Sequence, residues 1–298
     1  MRTLEQTKTI LKYASKQKRE ALNHCLITPK GIQATDLETN VLIKNSYDLK
    51  GVYKIDQLGA FSKASELIKV EDIPWIEWEL KEVDKIHVSI KTLETINKHS
   101  SKDETRIFLN GIYSDNENIV ATNGYHLKAV RHEQTLNNSY IIPRESIDIL
   151  SKLCKAYKVS SVVLRFEPNW VEFNSEHFTW QSRLINREYI KYQVVIPKKW
   201  NETMEIKNFP ELKTYKTFLE KNKEKSILEI INNEIFFIIP NTEIKIKIGE
   251  TSIKDTAIGF NPLFLEIARE DKKDFTINFN SELSPVLIND SIIMPLKL

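Results

Sequence analysis

The chain has 298 residues, enough for two or three domains of roughly 100–150 residues each. Forty-three basic and 41 acidic residues leave a net charge of +2, which excludes a uniformly cationic nucleic-acid protein and confines any DNA contact to local arrangements of charge. Hydrophobic residues make up 41% and charged residues 28%, with no apolar run near the roughly 18 residues of a membrane span, so a globular cytoplasmic protein off the membrane is expected.

The polar start Met1-Arg2-Thr3-Leu4-Glu5 has no apolar core of a signal peptide, and Cys25 and Cys154 lack C-x-x-C spacing, as expected in a reducing compartment.

Leu4 to Lys18 is predicted helical, with Leu4, Ile10, Leu11 and Ala14 apolar between lysines. Short runs at His24–Ile27, Gly31–Ala34 and Asn40–Ile43, split by Pro29-Lys30-Gly31, predict strands and a turn. A weaker helix is expected over Ile55–Ala64 and an exposed connector over Glu71–Trp78. A strand at Ile86–Val88 passes into a helix over Lys91–Ser100, with Leu93, Ile96 and Asn97 on one side. Strands are expected at Arg106–Tyr113, Ile119–Thr122 and Leu127–Arg131, the first two joined by the turn-prone Asp115-Asn116-Glu117-Asn118. Pro143 opens a helix over Arg144–Tyr157, and strands follow at Ser161–Phe166, Trp170–Phe173 and Thr179–Leu184. A third stretch begins near Glu205, with a lysine-studded helix over Pro210–Lys225. A hairpin of Ile227–Ile231 and Ile235–Ile239, an alternating Ile244–Ile248, a helix over Asn261–Arg269 and strands at Phe275–Phe279, Val286–Ile288 and Ile292–Met294 complete it. This alternation of single helices with groups of strands is an α+β layout.

One pentapeptide is echoed. Ala34-Thr35-Asp36-Leu37-Glu38 returns 87 positions later as Ala121-Thr122-Asn123-Gly124-Tyr125, with a helix-like stretch about 30 residues before each and another about 20 residues after. Such spacing suggests one structural unit used more than once.

With those tags in place, a series of stretches resembles the bacterial-type DNA polymerase III sliding clamp, the β-clamp. They are Gln33–Glu38, Phe108-Leu109-Asn110-Gly111-Ile112-Tyr113, Val120–Leu127, Ile141-Ile142-Pro143-Arg144, Ser182-Arg183-Leu184-Ile185 followed by Tyr192 and Val195-Ile196-Pro197, Ile258-Gly259-Phe260-Asn261, and the tail Met294-Pro295-Leu296-Lys297-Leu298. They run in family order over most of the chain. The resemblance implies three repeated domains (1–84, 85–201 and 202–298), with helices lining a central hole and sheets outside. It implies a non-enzymatic processivity factor without cofactor or metal, a homo-oligomeric ring, a dimer favoured, that encircles duplex DNA without reading sequence. Its further partners would be the replicative DNA polymerase and the clamp loader.

For the hole, the resemblance and the basic helix faces together give Lys8, Lys12, Arg19, Lys91, Lys98, Lys152, Lys155, Lys213, Lys216 and Lys221, and the segment before Leu-Asn-Gly adds Arg106 and Phe108. Lysines meeting phosphate give the salt-sensitive, sequence-neutral contact that sliding requires. A lysine on an amphipathic helix is more often plain solvated surface.

For a peptide-binding groove between the second and third domains, the resemblance implies a lining of Leu109, Thr122, Gly124, Tyr125, His126, Leu127, Ile190, Val194, Val195, Asn261, Phe264, Leu283, Pro285, Ile292, Ile293, Met294, Pro295, Leu296, Lys297 and Leu298. Apolar walls, an adaptable methionine and a few polar groups suit short peptides. Ile292, Ile293 and Val195 equally suit strand core. The chain departs from the family at Asn123 (usually Asp), Tyr125 (usually His), His126 (usually Arg), Ile190 (usually Pro) and Val194 (commonly Arg), which changes the groove's shape and charge. The first domain, ending near Val83, is shorter than the family's and lacks its opening strand. Such a reduced chain fits a phage or mobile element.

Two other classes compete. An enzyme finds little support: His24, His87, His99, His126, His132 and His177 show no metal spacing, no phosphate-binding or nucleophile motif occurs, and Asp36-x-Glu38 suits a turn. A clamp-like regulator or decoy that binds replication proteins without encircling DNA is the stronger rival, motivated by the short first domain.

Overall fold

The structure, a computed structural model, describes residues 23–44, 50–55, 61–63, 84–211, 226–253 and 255–298. The first strands in chain order are β1 (His24–Thr28), β2 (Gly31–Thr35), β3 (Thr39–Lys44), β4 (Gly51–Ile55), β5 (Phe61–Lys63) and β6 (Asp84–Ser89). Helix α1 (Ile90–Asn97) follows, then a 3-10 turn at Glu104–Leu109, β7 (Gly111–Ser114), β8 (Asn118–Thr122), β9 (His126–Arg131) and β10 (Tyr140–Pro143). Helix α2 (Arg144–Ala156) leads to β11 (Ser161–Phe166), β12 (Trp170–Asn174), β13 (Phe178–Arg183), a 3-10 turn at Tyr192–Val195 and β14 (Glu202–Ile206). The last elements are β15 (Ser226–Ile231), β16 (Glu234–Ile238), β17 (Lys245–Glu250), β18 (Thr256–Phe260), α3 (Pro262–Arg269), β19 (Phe275–Phe279), β20 (Val286–Ile288) and β21 (Ser291–Ile293).

These elements form two compact units. The first draws on residues up to 97, 110–119 and 131–188, and the second on 98–109, 120–130 and 189–298. In the first unit a sheet runs β5-β4-β1-β2-β3-β13-β12-β11-β6. Its strands alternate as a half-buried sheet must: Asp84, Ile86 and Val88 of β6 point inward, while Lys85, His87 and Ser89 point out. Helix α1 buries Ile90, Leu93, Ile96 and Asn97, and α2 buries Ile147, Leu150, Leu153 and Cys154, each apolar side chain contributing about 1.5–3 kcal/mol. Polar pins fix the two helices. Asn97 Nδ2 donates to Arg144 O (3.1 Å) and Asp148 Oδ1 (2.9 Å), and the buried hydroxyls of Thr39, Ser146 and Ser182 tie α2 to the sheet.

In the second unit one sheet runs β8-β9-β21-β20-β19-β14, and a four-stranded sheet runs β17-β16-β15-β18. Helix α3 and both sheets share a core that includes Leu228, Phe237, Ile258, Phe260, Leu265, Ile277, Ile288 and Ile293. The β15–β16 hairpin turns on Asn232 (φ 51) and Asn233 (φ 63), the double positive-φ geometry that matches strand twist.

The same strand motif occurs three times. β4 pairs antiparallel with β1, as β10 does with β7 and β18 with β15. The third strands of the first two copies, β3 and β9, each pair laterally with the last strand of another set, β13 and β21. The third strand of the last copy, β17, pairs with β16 alone among the described residues.

The echoed pentapeptide is one turn built twice. After β2, Thr35 Oγ1 accepts Leu37 N–H (2.9 Å), and Asp36 Oδ1 accepts the N–H groups of Glu38 (3.0 Å) and Thr39 (2.5 Å). After β8, Thr122 Oγ1 accepts Gly124 N–H (3.0 Å), and Asn123 Oδ1 accepts those of Tyr125 (2.9 Å) and His126 (3.0 Å). Short oxygen-bearing side chains here stand in for ladder partners.

Three expectations change. Of the helix predicted over Ile55–Ala64, the described residues are strand instead: Ile55 closes β4 and Phe61–Lys63 forms β5, paired with it, while residues 56–60 and 64 lie outside the described residues. The strand predicted from Arg106 begins only at Gly111. Asp103 accepts from Thr105 N–H and Oγ1 (3.0 and 2.6 Å) and from Arg106 Nε (2.8 Å), and these local bonds hold Glu104–Leu109 in 3-10 turns kinked at Arg106 (φ -111, ψ 57) instead of a strand. Helix α1 ends at Asn97 rather than Ser100. The helices expected over Leu4–Lys18 and Pro210–Lys225 and the connector over Glu71–Trp78 lie largely or wholly outside the described residues.

Candidate functional site

The large hydrophobic side chains most exposed among the described residues are Ile107, Tyr125, Ile190, Val194, Val195, Leu283, Met294 and Leu298. All eight belong to the second unit, and every one except Ile107 is a groove residue expected from sequence. Exposed apolar groups scattered singly are ordinary, and only a contiguous set of them points to a binding surface.

The backbone brings several of them to one rim. Met294 N–H donates to Tyr125 O (2.8 Å), directly beyond the Ile293–His126 pair of β21 and β9. Val286 pairs with Ile293, so Pro285 and Met294 sit at the same end of the β20–β21 ladder. The tail continues onto β18: Leu296 N–H donates to Gly259 O (2.8 Å), and a Cβ on Gly259 would stand 2.9 Å from the Leu296 backbone oxygen, so a side chain there would push the tail away.

Phe264 enters from the first turn of α3, whose N-cap Asn261 accepts Leu263 N–H (2.9 Å) ahead of Pro262. Its ring stacks on Tyr125 (centroids 6.0 Å, 19°) and meets the His126 ring edge-on (4.6 Å, 61°). Val194 and Val195 project from the 3-10 turn anchored by buried Tyr192, with Ile190 just before it, and Val194 is 80% exposed.

Behind the rim the expected lining becomes core. Leu109, Thr122, His126, Leu127, Ile292 and Ile293 are buried, Pro295 and Leu296 are half-buried, and Lys297 is exposed. Thr122 Oγ1 donates to His126 O (2.8 Å) and so sets the loop shape rather than facing solvent.

His126 Nδ1 lies 2.8 Å from His99 Nδ1, with the rings crossed at 76°. His99 Nε2 is 3.4 Å from Ser291 Oγ. Burial pushes the His126 imidazole down to about 4. Burial, then the charges of His126, Lys128 and Lys98, hold His99 well below the usual histidine range, so both rings are neutral at pH 7. Two positions along β9, buried Lys128 is taken up by Glu270 Oε1 (2.5 Å) and by Asp290 (3.8 Å).

The residues expected at DNA are divided. Lys91 and Lys98 lie exposed at the two ends of α1, and Lys152 and Lys155 lie exposed on α2. Lys155 pairs with Glu94 (2.6 Å), and the exposed stripe of α2 begins with Glu145 and Asp148. Arg106 and Phe108 belong to the second unit, where Arg106 Nη1 would lie 2.9 Å from a Cβ on Gly124, beside the rim. Lys8, Lys12, Arg19, Lys213, Lys216 and Lys221 lie outside the described residues. Sequence reasoning missed the exposure of Ile107 and the buried contact of His99 with His126. No spacing rule links histidines 27 residues apart, and Ile107 reads as strand until its turn is known.

Residues 83–191 match the family model described as DNA polymerase III beta subunit, central domain. A Caulobacter crescentus pol III beta structure superposes with a TM-score of 0.79 at 18% identity, covering 99% of this chain and 97% of that one. The fold is that of a bacterial sliding clamp. A clamp from Bartonella birtlesii bound to griselimycin gives 0.78 at 19% identity over 99% and 97% of the two chains. The Helicobacter pylori beta clamp bound to a DNA ligase peptide gives 0.77 at 16% over 99% and 96%. Among curated proteins no sequence matches this clamp-like chain.

Proposed function

We propose that this clamp-like protein is a DNA polymerase processivity factor. It closes a head-to-tail ring, a dimer favoured, around duplex DNA and tethers the polymerase, the clamp loader and repair proteins through the exposed apolar rim of its second unit. The concentration of exposed apolar side chains from Tyr125 to Leu298 carries the tethering part. The lateral pairings β3·β13 and β9·β21 support the ring reading, because among the described residues β17 pairs as a strand with β16 alone and its other edge would meet a second copy. The domains would divide at 84 and 201, with the first one shortened.

One observation favours a regulator that binds replication proteins without encircling DNA. The described helix faces are mixed in charge, with Lys155 already paired to Glu94. One experiment separates the two. The protein is loaded on nicked circular DNA, which is then linearised. A ring is retained on the circle and lost from the free ends, and equal retention on both forms sinks the ring reading. Mass measurement at micromolar concentration gives a second check, with a stable monomer counting against closure.

A further inference from the structure

The buried pair behind the rim goes one step beyond the groove reading, on which it rests. His99 leaves the end of α1 to be fully buried, and it has no access to a ligand. What it touches is His126, and His126 is the support of Phe264, which in turn stacks on exposed Tyr125. Two imidazole Nδ1 atoms 2.8 Å apart admit one proton between them: one ring donates and the other accepts. Adding a second Nδ1 proton would set two donors against each other, and the contact would have to open. The charged neighbours do not relieve this. Lys98 and Lys128 disfavour a positive charge on the pair, while Glu270 and Asp290 are directed to Lys128.

We propose that His99 is a positioning residue for the groove: by sharing one proton with His126 it fixes that ring edge-on to Phe264, and so fixes the Phe264–Tyr125 wall against which a partner lies. The pair with a single Nδ1 proton is the binding-competent state, so ligand and a second Nδ1 proton oppose each other. Thermodynamic reciprocity then requires that a ligand at the rim hold the pair neutral.

The test uses the full chain and griselimycin, the compound bound to the Bartonella birtlesii clamp. Nitrogen-15 spectra of the histidines at pH 7 are expected to show one protonated and one bare Nδ1, both shifting on saturation with griselimycin. His99→Phe fills the space without a hydrogen-bond partner and should weaken griselimycin by about tenfold, while His99→Gln, which can still bond His126 Nδ1, should stay within about threefold of the native chain. A folded His99→Phe protein that binds like the native one overturns the proposal. So do histidine resonances that ignore griselimycin while the Met294 methyl responds. If His99→Phe does not fold, that native-chain spectrum decides alone. If griselimycin moves neither Met294 nor Tyr125, the groove reading itself fails and this inference falls with it.

Discussion

Leu37 and Gly124 occupy the same position of the same turn, at φ +80 and +92. The first copy places a bulky L-residue where glycine is at ease, a conformation that costs roughly 1–2 kcal/mol. Gly124→Ala should therefore lower stability by about 1 kcal/mol, and its new Cβ would displace the Arg106 guanidinium. Leu37→Gly should cost less than its lost side-chain packing alone suggests, because the backbone relaxes. Thermal denaturation of both variants checks this, and an unchanged midpoint for Gly124→Ala refutes it.

Asp84 sets an acid limit on the first unit. Burial alone would raise its carboxyl. Bonds from Tyr140 Oη (2.6 Å), Asn137 N–H and Nδ2 (2.9 Å each) and Asn138 N–H (3.1 Å) outweigh that and lower it below the usual carboxylate value. A folded-state value below the unfolded one gives stability that is complete above about pH 4 and lost as pH falls through the folded value. Asp84→Asn should cost roughly 2–3 kcal/mol at pH 7 and flatten the acid limb of a stability–pH curve. Parallel acid limbs for native and variant would contradict this.

Val194 separates binding from folding. At 80% exposure its replacement should leave stability within about 0.5 kcal/mol. If it lines the groove, Val194→Asp should weaken a DNA ligase peptide, of the kind bound to the Helicobacter pylori clamp, by about tenfold. Calorimetric titration beside a melting curve measures both.

The helix lysines make distinct predictions for DNA. Replacing Lys152 with Ala should reduce the salt dependence of duplex binding by about one unit of slope without altering sequence preference. Lys155→Ala should do less, since Glu94 already neutralises Lys155. A salt series at fixed DNA length reads the slopes, and equal slopes for native and Lys152→Ala chains remove Lys152 from the interface.

Much of the described fold was legible in local pattern. Alternation marked β6 and β11, the Asn232-Asn233 turn marked its hairpin, and Asn261-Pro262 marked the start of α3. The strands at Ile55 and Phe61 were not, because three paired residues carry too little periodicity to outvote a helical pattern. Of the proposed groove, the family-like stretches contain the exposed residues from Tyr125 to Leu298, and Ile292 and Ile293 suited strand core equally well, yet the stretches did not mark Thr122 and Leu127 as buried. That distinction depends on which side of a strand faces the core, and a one-residue shift reverses it. His99 was invisible for a plainer reason: its partner is made by tertiary packing alone.

Among the described residues β17 pairs as a strand with β16 alone, with only Ile248 O taken up on its other side by Lys207 N–H (2.7 Å), and that edge bears on solubility as much as on assembly. An open edge that repeats head to tail has two ends, a closed circle or an unbounded fibre, and only the angle accumulated per copy decides between them. Lys245, Lys247 and Glu250 along that strand, two of them exchanging charge with Glu229 and Glu234 across the sheet, make stray pairing costly for any partner lacking the complementary pattern. Stripping those charges would be expected to turn a well-behaved solution into filaments before it harmed the fold.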